Sequence, residues 1–118
     1  MGKLTTHVLD TANGCPAAGM RVVLVRIDAD GAAHELKALQ LDADGRAGGP
    51  LLEGAALVPG RYRLRFDVAA YFAARGPALP EPPFLGEVPI DFGVADAGSH
   101  YHVPLLVSPW SYATYRGS

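Results

Sequence analysis

The chain has 118 residues, of which 49% are hydrophobic and 19% charged, and its formal net charge is −2. This length and composition predict a single folded domain over residues 1–118 and exclude a disordered chain. The small negative charge and dispersed arginines exclude a basic surface for nucleic acid or anionic membrane, and a single cysteine, Cys15, excludes an intrachain disulfide and a cysteine-based zinc site.

The first segment is predicted to be a strand over residues 4–10. Thr5, His7 and Leu9 fall on one face of it, because successive strand residues point to opposite sides. Met1-Gly2-Lys3 leads directly into this strand without the apolar core of a signal peptide, and no apolar run in the sequence is long enough to span a membrane. We therefore expect a cytoplasmic protein with no membrane partner.

Two further strands are predicted before residue 42. Asn13-Gly14 indicates a turn, and residues 20–28 are rich in β-branched side chains, which favours a strand. Residues 33–41 have enough Ala, Leu, Glu and Lys for a helix, but the closely spaced turns Asp30-Gly31 and Asp44-Gly45 on either side favour a hairpin strand.

Residues 42–50 form a polar, glycine-rich loop that contains Arg46. Asp42 and Asp44 precede a glycine and are predicted to form turns. A calcium site is not predicted, since the remaining ligands of an EF-hand are missing. Leu51-Leu52 is long enough only for a brief strand.

The clearest strand is predicted over residues 60–67, where aromatic or aliphatic residues alternate with arginines and indicate one core face and one solvated face. Residues 68–75 predict one short helix, with Asp67 as its N-cap and Gly76-Pro77 at its end. An extended proline-rich connector over 77–83 follows, and then a strand over 87–92.

The last predicted core strand lies in the run from Ser99 onward. Tyr101, Val103, Leu105 and Val107 share one face, whereas the other face carries His100, His102, Pro104 and Leu106. Both faces are apolar beyond His102, which indicates that another subunit covers the second face and places His102 at the edge of that interface. A proline cannot donate to the ladder, so Pro104 predicts an edge strand or a bulge.

Seven or eight short strands, regular turns and one short helix predict an all-β fold, an antiparallel β-sandwich. Three blocks in the same order then resemble the 5-hydroxyisourate hydrolases, the transthyretin-related enzymes of urate breakdown: Lys3–Asp10, Asp44-Gly45-Arg46, and the C-terminal run that ends in Tyr115-Arg116-Gly117-Ser118. The resemblance covers essentially the whole chain.

This resemblance implies a transthyretin-like sandwich of two four-stranded sheets with one short helix. It also implies a homotetramer with catalytic sites at the dimer–dimer interface, an enzyme without a cofactor, and the hydrolysis of 5-hydroxyisourate to 2-oxo-4-hydroxy-4-carboxy-5-ureidoimidazoline.

The residues that suit such chemistry are His7, Arg46, His102 and the terminal tetrapeptide. Attack of water on a cyclic amide needs a proton acceptor near neutrality, which histidine provides, and a cation for the developing oxyanion, which arginine provides. The resemblance implies that His7, Arg46 and His102 are catalytic and also bind substrate. It further implies that Tyr115, Arg116, Gly117 and Ser118 bind substrate and shape the pocket.

Two other chemistries remain open for these residues. His100 and His102 have a spacing that can chelate zinc, with His7 as a third ligand, but no zinc motif supports this and metal-free hydrolysis is preferred. The serines Ser108, Ser111 and Ser118 lie near the histidines in sequence, but the nucleophile elbow Gly-x-Ser-x-Gly is missing.

Two functions of other classes are also considered. A non-catalytic transthyretin-like carrier of a small hydrophobic or aromatic ligand uses the same fold, but it has no need of the polar set His7, Arg46 and His102. An interaction module with an exposed sheet edge predicts a monomer, and the two-sided apolar pattern over 103–107 counts against it.

Overall fold

The computed structural model describes residues 1–76 and 78–118, and the strands in these residues form two sheets packed face to face. Their bounds are β1 (Lys3–Asp10), β2 (Cys15–Pro16), β3 (Arg21–Ile27), β4 (Ala33–Gln40), β5 (Leu52–Glu53), β6 (Gly60–Asp67), β7 (Glu87–Val94), β8 (His100–Val107) and β9 (Tyr112–Thr114). The first sheet has the order β2-β1-β8-β9, with β5 also paired to β1, and the second has the order β4-β3-β6-β7. The predicted sandwich is confirmed, including the strand assignment for residues 33–41, but the first sheet has five strands and not the expected four, because the short β5 also pairs with β1.

The central pair of the first sheet joins the two ends of the chain. β1 and β8 run parallel, from Lys3 opposite His100 to Asp10 opposite Val107, whereas all other strand pairs in the described residues are antiparallel. Parallel strands cannot be joined by a tight hairpin, and here the connection from β1 to β8 contains most of the chain. This register places Thr5 directly beside His102.

Alternation along β1 and β8 divides their side chains between the core and the outer face of the first sheet. The inner side chains are nearly all fully buried and pack against those of β3, β6 and β7; from these two strands they are Leu4, Val8, Tyr101, Val103, Leu105 and Val107. The outer side chains include Thr5, His7 and His102, which are half-buried. The predicted faces of both strands are therefore confirmed.

The helix α1 (Val68–Ala73) follows β6 without a loop. Asp67 is its N-cap, as predicted, because its carboxylate accepts a hydrogen bond of 3.3 Å from the Ala70 N–H. A single 3₁₀ turn at Gly54–Ala56 was not predicted. The predicted helix stop at Pro77 lies outside the described residues. In the part of the chain that the structure describes, no helix is long and apolar enough to cross a membrane.

The prediction of an edge strand or bulge at Pro104 is wrong, because β8 lies between β1 and β9 in a regular register. The N–H of His102 donates to the Gly117 carbonyl, on the side of β8 away from β1. Because backbone N–H groups alternate along a strand, the nitrogen of Pro104 faces this same side. The hydrogen bonds between β8 and β1 are therefore not affected by the proline. Tyr115 stands opposite Pro104, and the Pro104 carbonyl instead accepts a 2.7 Å bond from the Thr114 hydroxyl.

Candidate active site

The loop between β4 and β5 brings Arg46 beside His7. A single antiparallel bridge pairs the backbones of these two residues, so their side chains project from the same face of the first sheet. The loop is closed by Asp42, whose carboxylate accepts hydrogen bonds from the N–H groups of Asp44 (2.9 Å) and Arg46 (3.0 Å). Asp42 thus acts as a turn former, as predicted.

Gly45 allows this loop to approach β1 closely. Its φ of 72° lies in the left-handed region, and its carbonyl accepts a 2.9 Å hydrogen bond from the N–H of Val8. A Cβ at this position would lie 2.5 Å from the Val8 carbonyl oxygen. The Asp-Gly-Arg sequence therefore combines a turn, a close backbone approach and a placed cation.

The C-terminal tail returns to His102 after β9. His102 and Gly117 form an antiparallel bridge with both backbone hydrogen bonds, at 3.3 and 2.8 Å. A Cβ on Gly117 would lie 2.9 Å from Cδ2 of the His102 ring and 3.1 Å from its Cβ. The tail backbone therefore forms a close wall against the imidazole, on the side of the ring that carries Nε2.

The side chain of Thr5 lies between two histidines of β8. Its Oγ1 is 2.8 Å from Nδ1 of His102 and 2.9 Å from Nε2 of His100. Strand alternation predicted that Thr5 and His7 share one face of the first strand, but Thr5 was not predicted to belong to the site. Its contact with His102 depends on the parallel register of β1 and β8, which no local sequence motif indicates.

The electrostatic environment of His102 is positive. Burial lowers the pKa of its imidazole, and the neighbouring basic groups Arg46, His100 and His7 lower this pKa further. A lowered pKa keeps the ring neutral at neutral pH. His102 can therefore act as a proton acceptor in this environment.

The remaining residues of the tail point in different directions. The guanidinium of Arg116 lies 4.2 Å from the ring centroid of Tyr101, on the opposite face of β8 from His102, and donates a 3.3 Å hydrogen bond to the His100 carbonyl. The side chain of Tyr115 is 59% exposed, and Ser118 is also exposed. The structure thus brings together His7, Arg46, His102 and Gly117, whereas the substrate-binding roles of Tyr115, Arg116 and Ser118 stay predictions.

Two of the serines considered as nucleophiles belong to the turn between β8 and β9. Ser108 Oγ accepts hydrogen bonds from the N–H groups of Trp110 (3.2 Å) and Ser111 (3.1 Å), and the two serine hydroxyls lie 3.1 Å apart. These contacts stabilise the turn. Among residues 1–76 and 78–118, no three His, Cys, Asp or Glu side chains are grouped closely enough to hold a metal ion.

Comparison with known proteins places this chain in a family. The family model described as the HIUase/Transthyretin family matches residues 4–117. The 5-hydroxyisourate hydrolase of Ralstonia nicotianae is 55% identical over 118 residues, and the match covers 100% of both chains.

Solved structures agree in fold. The structure of Klebsiella pneumoniae 5-hydroxyisourate hydrolase is 35% identical with a TM-score of 0.81, and the match covers 100% of both chains. Sea bream transthyretin in complex with thyroxine is 28% identical with a TM-score of 0.86, and the match covers 98% of this chain and 94% of that chain. The chain belongs to the HIUase/Transthyretin family.

Proposed function

We propose that this chain is a hydrolase that opens the six-membered ring of 5-hydroxyisourate by attack of water, giving 2-oxo-4-hydroxy-4-carboxy-5-ureidoimidazoline. One observation carries the proposal: His7, Arg46 and His102 meet on one sheet face, against the Gly117 backbone. The similarity to hydrolases of this substrate across the full chain length supports the same reaction.

The chemistry needs a base, a cation and a proton for the leaving group. In the proposed step a water oxygen bonds to the ring carbonyl carbon, the ring C–N bond breaks, and the released nitrogen takes a proton. His7 and His102 position the water and accept its proton, and the lowered pKa of His102 suits this task. The histidine that accepts the proton becomes an imidazolium, which then donates a proton to the leaving nitrogen.

Arg46 is assigned to the substrate oxygens. Its side chain is exposed and projects beside His7, and within the described residues no carboxylate pairs with it. A free guanidinium can donate two parallel hydrogen bonds to a carbonyl-rich ring and stabilise the negative charge that develops there. The terminal tetrapeptide is assigned to the wall of the pocket.

The proposed working form is a cytoplasmic homotetramer with sites at the dimer–dimer interface. The outer face of the first sheet carries Leu9 and Leu106 next to the histidines. Both are only half-buried in the single chain, which is unusual for apolar side chains on a face in contact with water alone. A second subunit on this face would cover these side chains and complete the pocket. The free thiol of Cys15 is compatible with a reducing compartment.

The decisive experiment generates 5-hydroxyisourate from urate with urate oxidase in a cuvette and follows its ultraviolet decay with and without this protein. We expect a marked acceleration over the spontaneous reaction, and the acceleration should survive a metal chelator. Folded protein that leaves the spontaneous rate unchanged would refute the proposal.

Two variants test the assignment of roles in the same assay. His102→Asn should lower kcat by about 10²- to 10⁴-fold, because it removes the proposed base. Arg46→Glu should abolish turnover, whereas Arg21→Glu makes the same charge change on β3 in the second sheet and should leave turnover intact. Near-wild-type turnover of either site variant would overturn the assignment.

A second candidate function is the transport of a small aromatic ligand. It is favoured by the fold similarity to sea bream transthyretin, which was solved with thyroxine. Calorimetric titration with thyroxine distinguishes the two functions: a carrier binds it and leaves 5-hydroxyisourate untouched. We expect turnover of 5-hydroxyisourate instead.

A further inference from the structure

The side chain of Thr5 makes two contacts that limit where the protons of two histidine rings can lie. Its Oγ1 lies within hydrogen-bond distance of Nδ1 of His102 (2.8 Å) and Nε2 of His100 (2.9 Å). A threonine hydroxyl has one proton to donate and lone pairs to accept. When it donates to one ring, it must accept an N–H from the other.

This constraint couples the tautomers of the two rings. If His100 accepts the Thr5 proton at Nε2, then His102 must donate from Nδ1, and its own Nε2 is left without a proton. If Thr5 donates to His102 instead, the proton of the neutral His102 ring must be on Nε2. A hydroxyl that accepts an N–H from both rings also leaves His102 protonated on Nδ1, so only donation from Thr5 to His102 removes the lone pair from the ring nitrogen next to the tail.

Of the two ring nitrogens of His102, Nε2 is the one that can accept a proton from water. Nδ1 is occupied by Thr5, whereas Nε2 has no hydrogen-bond partner among the described residues. Cδ2, which is bonded to Nε2, faces Gly117, so this nitrogen lies at the junction of the sheet face and the tail. The other basic groups that act on the ring are Arg46, His100 and His7, and none of them is an acid that could hold the tautomer in place of Thr5.

We propose that Thr5 is a positioning residue that holds His102 in the Nδ1–H tautomer through a one-proton bridge to His100, and so keeps Nε2 of His102 free to accept the proton of the attacking water. This inference rests on the proposed hydrolase function for its catalytic consequence. The tautomer itself is a property of the folded chain and does not depend on the substrate. His100 then acts through Thr5 and has no need to contact the substrate.

The test uses three variants of the full chain. Thr5→Val keeps the shape of the side chain and removes the hydroxyl, and Thr5→Ser keeps the hydroxyl. Thr6→Val is the matched control: it makes the same change at the next residue, whose buried hydroxyl donates a 2.8 Å bond to the Val103 carbonyl on the core side. The assays measure kcat and KM with 5-hydroxyisourate, thermal stability, and the ring ¹⁵N chemical shifts of His102.

We expect Thr5→Val to lower kcat by about 10- to 100-fold with little change in KM, while Thr5→Ser stays within about threefold of wild type. Thr6→Val should lower the melting temperature but keep kcat. In the wild type, the His102 ¹⁵N spectrum should show protonated Nδ1 and unprotonated Nε2, and Thr5→Val should shift the population toward Nε2–H. Assignment is simple, because the chain has only 4 histidines.

Two outcomes would overturn the inference. One is a wild-type His102 ring that is protonated on Nε2, or whose tautomer is unchanged in Thr5→Val. The other is a Thr5→Val variant that keeps wild-type kcat, or that loses activity only in proportion to its loss of stability. If the wild type does not hydrolyse 5-hydroxyisourate at all, the proposed function fails while the ¹⁵N spectrum still decides the tautomer.

Discussion

The outer faces of the two sheets are both polar, but their charges are arranged in opposite ways. On the second sheet, Arg63 of β6 makes two hydrogen bonds to Asp91 of β7, at 2.5 and 3.1 Å, and Arg65 lies 3.3 Å from Glu87. On the first sheet, the histidines of β1 and β8 and the neighbouring Arg46 form no ion pair with any described residue. Two of the three arginines on β6 therefore have an acid partner on their own face, whereas the basic groups around His102 have none among the described residues.

The difference supports the first sheet as the proposed ligand-binding surface. Strand alternation puts polar residues outward on any sandwich sheet, so a row of arginines such as that on β6 carries no functional information. Clustered basic groups without acids disfavour each other's charged forms, and their mutual repulsion is relieved when an oxygen-rich substrate binds between them. This contrast supports the proposal that the unpaired set is the functional one.

The largest effect is expected from removal of Tyr115 to Ser118. This deletion removes the Gly117 backbone that pairs with His102 but leaves β9, which ends at Thr114. Turnover of 5-hydroxyisourate should be abolished, with little loss of thermal stability, because the deleted residues are mostly exposed. A parallel fall of stability and activity would show that the tail acts as a structural final strand.

A single methyl group tests the same contact more finely. In Gly117→Ala the added Cβ would meet the His102 ring at 2.9 Å, so the ring or the tail must move. We expect kcat/KM to fall by about 10- to 100-fold, since small displacements of a catalytic group are costly. Gly49→Ala is the matched control, because a Cβ there meets nothing within 4 Å, and it should behave as wild type.

The core side of the first sheet supplies a test on stability. Asp10 is 1% exposed and accepts hydrogen bonds from the Asn13 side chain (2.7 Å), the Asn13 N–H (2.9 Å) and the Tyr71 hydroxyl (2.8 Å). In Asp10→Asn one carboxylate oxygen becomes an NH₂ group, which would face the donors of Asn13 or Tyr71. We expect the free energy of unfolding, measured in urea, to fall by about 1–3 kcal/mol. Turnover of the folded variant should not change, because the residue faces away from the candidate active site.

The pH dependence of stability follows from the same carboxylate. Burial alone would raise the pKa of Asp10, but the hydrogen bonds from Asn13, Tyr71 and Ala12 outweigh burial and lower it. A lowered pKa in the folded state stabilises the protein above the ordinary pKa of an aspartate, about 3.9, and this contribution is lost as pH falls through the lower folded value. Wild type should therefore lose stability more steeply than Asp10→Asn below about pH 4; equal slopes would contradict this assignment.

Features that depend on local sequence patterns were predicted correctly. Alternation predicted the faces of β1, β6 and β8, Asp-Gly pairs predicted the turns, and Asp67 predicted the helix cap. The resemblance supplied His7, Arg46 and His102, which the fold places on one face.

Features that depend on long-range pairing were not predictable in this way. The parallel contact of β1 with β8 joins residues about a hundred positions apart, so nothing near Thr5 indicates that it lies between His100 and His102. The Pro104 prediction failed for the same reason. Pro104 is tolerated inside this sheet because its nitrogen faces Tyr115, just beyond the end of β9 at Thr114, and not β1.

The smallest effect is expected on the outer face of the second sheet, from Asp91→Asn. The Arg63–Asp91 pair is open to solvent, with side chains 35% and 51% exposed, so water and salt screen its attraction. We expect a fall in melting temperature of less than about 3 °C and no change in kcat, because exposed ion pairs contribute little to folding. Repeating the melt in 1 M salt provides the control, since the difference between the two proteins should then disappear. A large loss of activity in Asp91→Asn would instead mean that the paired face takes part in function, and the contrast between the two faces would no longer identify the active site.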